Sequence, residues 1–371
     1  MRTELLPATE SAVRIAIQAI HAGQPIGMPT ETVYGLAAKA EDADALTRIF
    51  TIKARPRFNP LIVHVSPAML QHNAYSPLQC LEEQGLITRK DLNQAQEQLL
   101  SALMTTFWPG PLTLLFPRGR KVHDLVTAGL ETVALRMPAH PVAQALIDAS
   151  GQALAAPSAN RSGHISPTTA QHVFDDLEGH IPIVLDGGPC AQGLESTVLQ
   201  VDTETLHVLR RGSITTDMIR VCIKYSAPVQ DAQPKASADE TAPLSSPGTL
   251  LKHYAPHTPV RLINAHVDLL SALTQQPETQ HPFALLTVLP LSSLEQEQLT
   301  QAFPQLKAQR SLSQSTGGLD AAARCLFATL RHLDAQGVQT LFIQPCAHNE
   351  GLAAAINDRL ERAAGHVIPS V

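Results

Sequence analysis

A chain of 371 residues is long enough for two domains of roughly 100–200 residues, each with its own core, and too long for a small scaffold held by staples. Its 27 Lys and Arg against 33 Asp and Glu leave a net charge of −6, which excludes a nucleic-acid coat or polybasic anchor at whole-chain level, though not a local basic groove. Five cysteines, Cys80, Cys190, Cys222, Cys325 and Cys346, are scattered without C-x-x-C spacing. Neither a disulfide framework nor a thiolate zinc site is expected from them, and a reducing cytoplasm is the expected location. The N-terminus carries acidic residues and a helical pattern in place of a basic end, apolar run and cleavage site, so it reads as mature protein, and no apolar run approaches the roughly 20 residues that span a bilayer.

In chain order, Thr9 is placed to cap an amphipathic helix carrying Val13, Ile17 and Ile20 at helical spacing. Short β-rich runs follow at 26–28, 61–65, 112–116, 132–137, 153–156, 183–185, 197–201 and 206–209, with helical patterns at 43–52, 93–107, 142–149 and 168–177. Strands alternating with helices, then clustered strands near 200, predict an α/β domain on a mixed twisted sheet over residues 1–225. Residues 226–258 begin with a run dense in Pro, Ser, Ala and Asp and are assigned as a linker. Residues 259–371, with strands at 260–263, 283–288 and 340–343 and a last helix over 352–364, form a smaller second α/β domain.

The usual nucleotide loops are absent: neither G-x-x-x-x-G-K-[ST] nor G-x-G-x-x-G occurs, and Gly188 to Gly193 has P-loop spacing but Leu194 in the lysine position. Chemistry is concentrated elsewhere. PTETVYGL at 29–36 follows a predicted buried strand, where α/β sheets place ligands, and reads equally as a strand-to-helix turn. Lys53, Arg55 and Arg57 lie within five residues, with Asn59 beyond them, in a loop stiffened by Pro56 and Pro60. This is a compact site for a polyphosphate, or else a solvated loop. His64 lies on an apolar strand, where a hydrogen-bonded core histidine is the commoner outcome. Arg136 sits in a strand otherwise free of charge and needs an anion, either a protein carboxylate or a bidentate substrate carboxylate; Thr132 shares its face. APSANRSGHISPT at 156–168 offers hydroxyls, an amide and N–H groups as an anion cradle, or a long turn in which Ser166 or Thr168 caps the next helix. The loop of Gly187, Gly188 and Gly193 to Ser196 carries glycines that would admit a ligand to the backbone.

Taken together and in order, PTETVYGL, K-x-R-x-x-x-NPLIVHV, WPGPLTLLF, VALRMPAHP, APSANRSGHISPT, DGGPC with GLESTV, and LRRGSI resemble the YrdC-type threonylcarbamoyl-AMP synthase family. HYAP at 253–256 and GLAAAINDRLERAAG at the end resemble its long two-domain form, which implies a YrdC-like domain followed by a smaller Rossmann-like one. The resemblance implies condensation of L-threonine, bicarbonate and ATP, with magnesium on the ATP phosphates, into threonylcarbamoyl adenylate and pyrophosphate for tRNA modification. It implies L-threonine held by Thr32, His64, Arg136, the backbone at Ala156 and Ser196. ATP would be held by Lys53, Arg55, Asn59, Thr132, Ser158, Asn160, Ser166 and Arg210, with Tyr254 reaching from the linker as a lid and Lys53 and Arg55 stabilising the leaving pyrophosphate. Downstream tRNA-modifying proteins are the implied partners, with weak binding to tRNA besides. Arg211 departs from the family, which has proline there. Two rivals share the fold: a non-catalytic binder of double-stranded RNA or tRNA, against which the acidic balance speaks, and a carbamoyl-transfer enzyme of hydrogenase maturation, whose cysteine pairs do not appear here.

Overall fold

The computed structural model describes residues 1–71, 75–231, 244, 253–313 and 318–365. Two compact units emerge: Met1–Ser162, Pro167–Ala191 and Glu195–Thr249 form the first, Gly163–Ser166, Gln192–Leu194 and Leu250–Val371 the second.

In the first unit the strands are β1 (Glu4–Pro7), β2 (Ile26–Met28), β3 (Gly35–Lys39), β4 (Ile62–His64), β5 (Leu112–Pro117), β6 (Thr132–Arg136), β7 (Leu154–Ala155), β8 (Ile183–Asp186), β9 (Thr197–Val201), β10 (Leu206–Arg210) and β11 (Val229–Asp231). They make one mixed sheet in the order β1-β8-β2-β3-β7-β4-β6-β5-β9-β10-β11. One face of its middle strands is apolar, with Leu114, Phe116, Leu135 and Val63 fully buried there, and the opposite face carries His64, Thr113 and Arg136. Helices start where a side chain accepts an otherwise orphaned N–H: Thr9 from Ala12, ahead of the Glu10–His21 helix, and Asp42 from Asp44 and Ala45, ahead of the Ala43–Lys53 helix.

The second unit has a four-stranded, wholly parallel sheet made of β12 (Val260–Leu262), β13 (Phe283–Thr287), β14 (Leu306–Ser311) and β15 (Thr340–Gln344), in the order β12-β15-β13-β14. The crossover helix Gly318–Asp334, between β14 and β15, and the helix Gly351–Ala364 that follows β15 both bury their apolar sides. The expected α/β class, a large mixed sheet plus a smaller α/β domain, is what is found.

Several elements differ from the sequence expectation. Residues 35–39, expected within a turn, form β3: Ala37 and Ala38 carry little strand propensity, but burial between neighbours on both sides overrides it. Residues 229–231, expected in the linker, pair in parallel with β10 as β11. Most of that expected linker, 232–243 and 245–252, lies outside the described residues. The helix expected from 168 begins at Ala170 with Thr169 as its cap, so neither Ser166 nor Thr168 serves that role. Replacing the fully buried Leu114 by Ala should cost about 2–5 kcal/mol of stability, read as a lowered urea midpoint at unchanged slope.

Candidate active site

Arg136 ends β6, deep in the first unit's sheet and 3 % exposed. Its Nε donates to the Gly110 carbonyl at 3.2 Å and its Nη1 to Thr32 Oγ1 at 2.8 Å. Nη2 stands 2.6 Å from Glu31 Oε1, an ion pair whose alignment falls outside hydrogen-bond geometry. The anion that Arg136 demands is therefore a protein carboxylate, the plainer of the two expectations. That partner sits in the PTETVYGL segment itself. Thr32 is fully buried, with its hydroxyl 3.0 Å from that of Thr30.

Two strands beside β6 bring further groups to this point. His64, at the end of β4, is in register with Arg136, and its Nδ1 is buried without a hydrogen-bond partner. Burial first, and the neighbouring Arg136 charge second, push its pKa down to about 3, so the ring is neutral. Across the antiparallel pair, Thr113 on β5 stands opposite Arg136, and its hydroxyl meets Ser196 Oγ at 2.7 Å. Arg210 closes that side, donating from Nε to the Ser196 carbonyl and from Nη2 to Ser196 Oγ, both at 3.0 Å. Arg211 turns outward to pair with Asp231 at 3.0 Å, so of the two adjacent arginines Arg210 alone reaches Ser196. Ala156 N–H donates to the Ile62 carbonyl.

The second cluster grows from the end of the Ala43–Lys53 helix. Ala54 takes a left-handed conformation at φ 48, which stops the helix and turns the chain toward Arg55. Lys53 is buried, and its Nζ donates to the carbonyls of Ser158, at 2.5 Å, and Asn160. Burial, then the like charge of Arg55, hold the lysine well below its ordinary pKa. Ser158 Oγ donates to Asn160 Oδ1 at 2.5 Å. Arg55 donates from Nη2 to Asn59 Oδ1 at 2.5 Å and to the Pro60 carbonyl at 2.8 Å. Of the three cations, Lys53 and Arg55 are buried and held by oxygens of the 158–160 segment and of the loop itself, while Arg57 is exposed.

Backbone pairing joins the clusters. Leu36 N–H donates to Pro157 O at 2.8 Å and Ala159 N–H to Tyr34 O at 2.8 Å, so PTETVYGL and the 157–160 loop lie side by side. Thr132 opens β6, half-buried, opposite Pro117. Ser166 and Tyr254 belong to the second unit, where the buried Tyr254 ring packs 5.3 Å from that of Phe327. A Cβ on Gly187 would meet His140 and Pro29 at 2.8 Å, and Gly188 sits at φ +84 with open space beside it. Tyr34 holds this loop, donating to Gly188 O at 2.7 Å and accepting from Gly187 N at 3.2 Å. Beside it, burial and then the Glu31 charge push the Cys190 thiol up to about 12.

Glu31 and Thr113 carry parts of this site that the sequence reading gave no role. Thr113 had a findable signal, a lone polar side chain in an apolar strand like that of Arg136. The arrangement presents a buried cation and carboxylate with hydroxyls around them, beside a second pair of cations fixed by carbonyls. It suits a small zwitterion next to a polyphosphate.

Two family models match the chain, one described as Telomere recombination over residues 18–212 and one as Threonylcarbamoyl-AMP synthase, C-terminal domain, over residues 214–365. The chain is 35 % identical to the threonylcarbamoyl-AMP synthase of Bacillus subtilis over 98 % of its own length and 96 % of the relative's, and 33 % identical to that of Pyrococcus abyssi at the same coverage. Its structure is similar to the crystal structure of P. abyssi Sua5 complexed with L-threonine, with TM-score 0.80 and 32 % identity, covering 99 % of this chain and 98 % of that one.

The neutral His64 gives a prediction with a definite sign. Its proton is bound in the unfolded chain near the ordinary histidine value of 6.5 but in the folded protein only near 3, so across that window the unfolded state holds more protons and stability falls as pH drops. His64→Gln should lose melting temperature less steeply than the wild type between about pH 6.5 and about pH 4, in thermal melts of the two proteins across that range.

Proposed function

Because the chain belongs to the threonylcarbamoyl-AMP synthase family, we propose that its two clusters are the amino-acid and nucleotide halves of one adenylylating site. The protein is an enzyme of nucleotidyltransferase type: L-threonine, bicarbonate and ATP give threonylcarbamoyl-AMP and pyrophosphate, for threonylcarbamoyladenosine in tRNA beside the anticodon. In this reading Thr32, His64, Arg136, the Ala156 backbone and Ser196 hold the threonine, and Lys53, Arg55, Asn59, Thr132, Ser158, Asn160 and Arg210 hold the nucleotide. The observation that supports it is a guanidinium and a carboxylate, Arg136 and Glu31, buried together at 2.6 Å among hydroxyls, beside a second pair of cations, Lys53 and Arg55, held by carbonyls.

The chemistry asks little covalent work of the protein. Bicarbonate gives carbon dioxide and hydroxide, and the hydroxide takes a proton from the threonine ammonium to leave as water. The free amine adds to the carbon dioxide and releases its second proton to solvent as the carbamate forms. The carbamate oxygen then attacks the α-phosphorus, and the bond to pyrophosphate breaks with the electron pair leaving on it. What the chain supplies is alignment and fixed positive charge. Lys53 and Arg55, held by carbonyls, face the growing charge on the leaving group without reorganising. Magnesium would enter on the ATP phosphates, since among the described residues no three His, Cys, Asp or Glu side chains are grouped to hold a metal ion. The neutral His64 adds no second positive charge beside Arg136, whose own charge is answered by Glu31. The product is a labile mixed anhydride, so proteins that transfer it to tRNA are the proposed partners, met transiently in the cytoplasm where tRNA is modified.

Among the described residues no helix is long and apolar enough to cross a membrane. The reading is tested by incubating the protein with ATP and magnesium and measuring pyrophosphate. Release should require L-threonine and bicarbonate together, with serine a poorer substitute. Arg55→Ala should lower turnover by about 100-fold or more in a protein that still folds cooperatively, with a lowered melting temperature from the buried acceptors left at Asn59 and Pro60. A protein that retained salt-sensitive tRNA binding but released no pyrophosphate would be a binding module, and the proposal would fail.

A further inference from the structure

The Glu31 carboxylate is the least satisfied group in the first unit. Both oxygens are buried with no hydrogen-bond partner among the described residues, although the residue is only 8 % exposed. Buried carboxylates normally accept several N–H or O–H bonds, because desolvation removes the water that would have donated them. Here the compensation is a single ion pair, with Arg136 at 2.6 Å, whose own Nη2 is also without a hydrogen bond. Neither end of the pair can be relieved by its neighbours. Thr30 Oγ1 donates to the Val33 carbonyl at 2.5 Å and lies 3.0 Å from Thr32 Oγ1, while Thr32 accepts from Arg136. Cys190 stands near as a protonated thiol, and His140 accepts from Val142 N–H on one ring nitrogen and contacts the Gly187 carbonyl with the other.

An isolated cation in this place would answer Glu31 and leave Arg136 exposed to the same deficit, and an isolated anion would do the reverse. A molecule carrying both signs one carbon apart answers both. Its ammonium brings three donors to a carboxylate that has none, and its carboxylate brings acceptors to a guanidinium that lacks one. The exchange conserves charge, because a neutral pair opens to take in a neutral zwitterion and no unpaired charge is left buried.

We propose that Glu31 and Arg136 form a two-ended clamp for an α-amino acid zwitterion, in which Glu31 binds the substrate ammonium while Arg136 binds the carboxylate. This rests on the functional reading above and extends it to a residue which that reading leaves without a role. The clamp accounts for a carboxylate being placed where an anionic substrate group must also come: alone, Glu31 would repel it, and its use is to select molecules that carry an amine beside the acid. An acid lacking that amine meets a carboxylate that nothing neutralises.

The test is equilibrium binding by calorimetry of two ligands with one carbon skeleton, L-threonine and the matching 3-hydroxybutanoate, which lacks the ammonium. The wild type should prefer threonine by about 100-fold or more, and Glu31→Gln should cut threonine affinity by about tenfold or more while raising hydroxybutanoate affinity, since the carboxylate that repels it is gone. Glu31→Asp, which keeps the charge at shorter reach, should lie between them and serves as the decisive variant if the glutamine protein fails to fold. Equal loss for both ligands would mean that Glu31 merely shapes the pocket, and threonine binding unchanged in Glu31→Gln would remove it from the site; either result overturns the clamp. The functional reading fails separately, if the wild type binds L-threonine with the expected preference yet releases no pyrophosphate from ATP and bicarbonate.

Discussion

A charge placed inside a sheet governs the first unit. Arg136 cannot be buried without an anion and acceptors, and the chain answers with contributions from segments far from it in sequence: Glu31 and Thr32 from the turn between β2 and β3, and the Gly110 carbonyl ahead of β5. Around that point the sheet order sets β4 and β5 on either side of β6, which brings His64 and Thr113 into register with the arginine. His64, Thr113 and Arg136 are therefore held by strands whose positions are fixed by the apolar core on the opposite face.

The nucleotide half is built by a different device. There a helix is stopped by a left-handed alanine, and the cations at its end are fastened to main-chain carbonyls. Main-chain acceptors suit this task because they hold an ammonium or guanidinium without cancelling its charge, as a carboxylate would. One half of the site thus pairs opposite charges and the other keeps its positive charge unneutralised. The contrast matches a partner with both signs on one side and a polyanion on the other.

Much of this was legible in the sequence. The alternation of strands and helices gave the fold class, and Arg136 announced itself as a charge in an apolar strand. Strands of weak pattern escaped: β3 is mostly alanine and glycine, β14 carries Lys307 and Arg310, and β11 is three residues long. Their strand character comes from neighbours and not from their own side chains. Glu31 was visible as a residue but not as a partner, since the ion pair is made across long sequence separation, with Thr32 and Arg136 alone 104 positions apart. The space beside Gly187 is taken by Pro29 and His140, which only the folded chain brings there. Arg210 and Arg211 could not be told apart by order alone, and strand geometry separates them by sending one in and one out.

The short strand β11 reaches beyond what a boundary drawn from composition would keep. It pairs with β10 along Leu206–Val208, and Asp231 anchors Arg211. A shortened protein ending at residue 225 would bare one side of β10, leaving a row of amide and carbonyl groups for another molecule's backbone to zip onto. Insolubility of such a fragment would then reflect a missing border strand and not a dependence of the catalytic half on the rest of the chain.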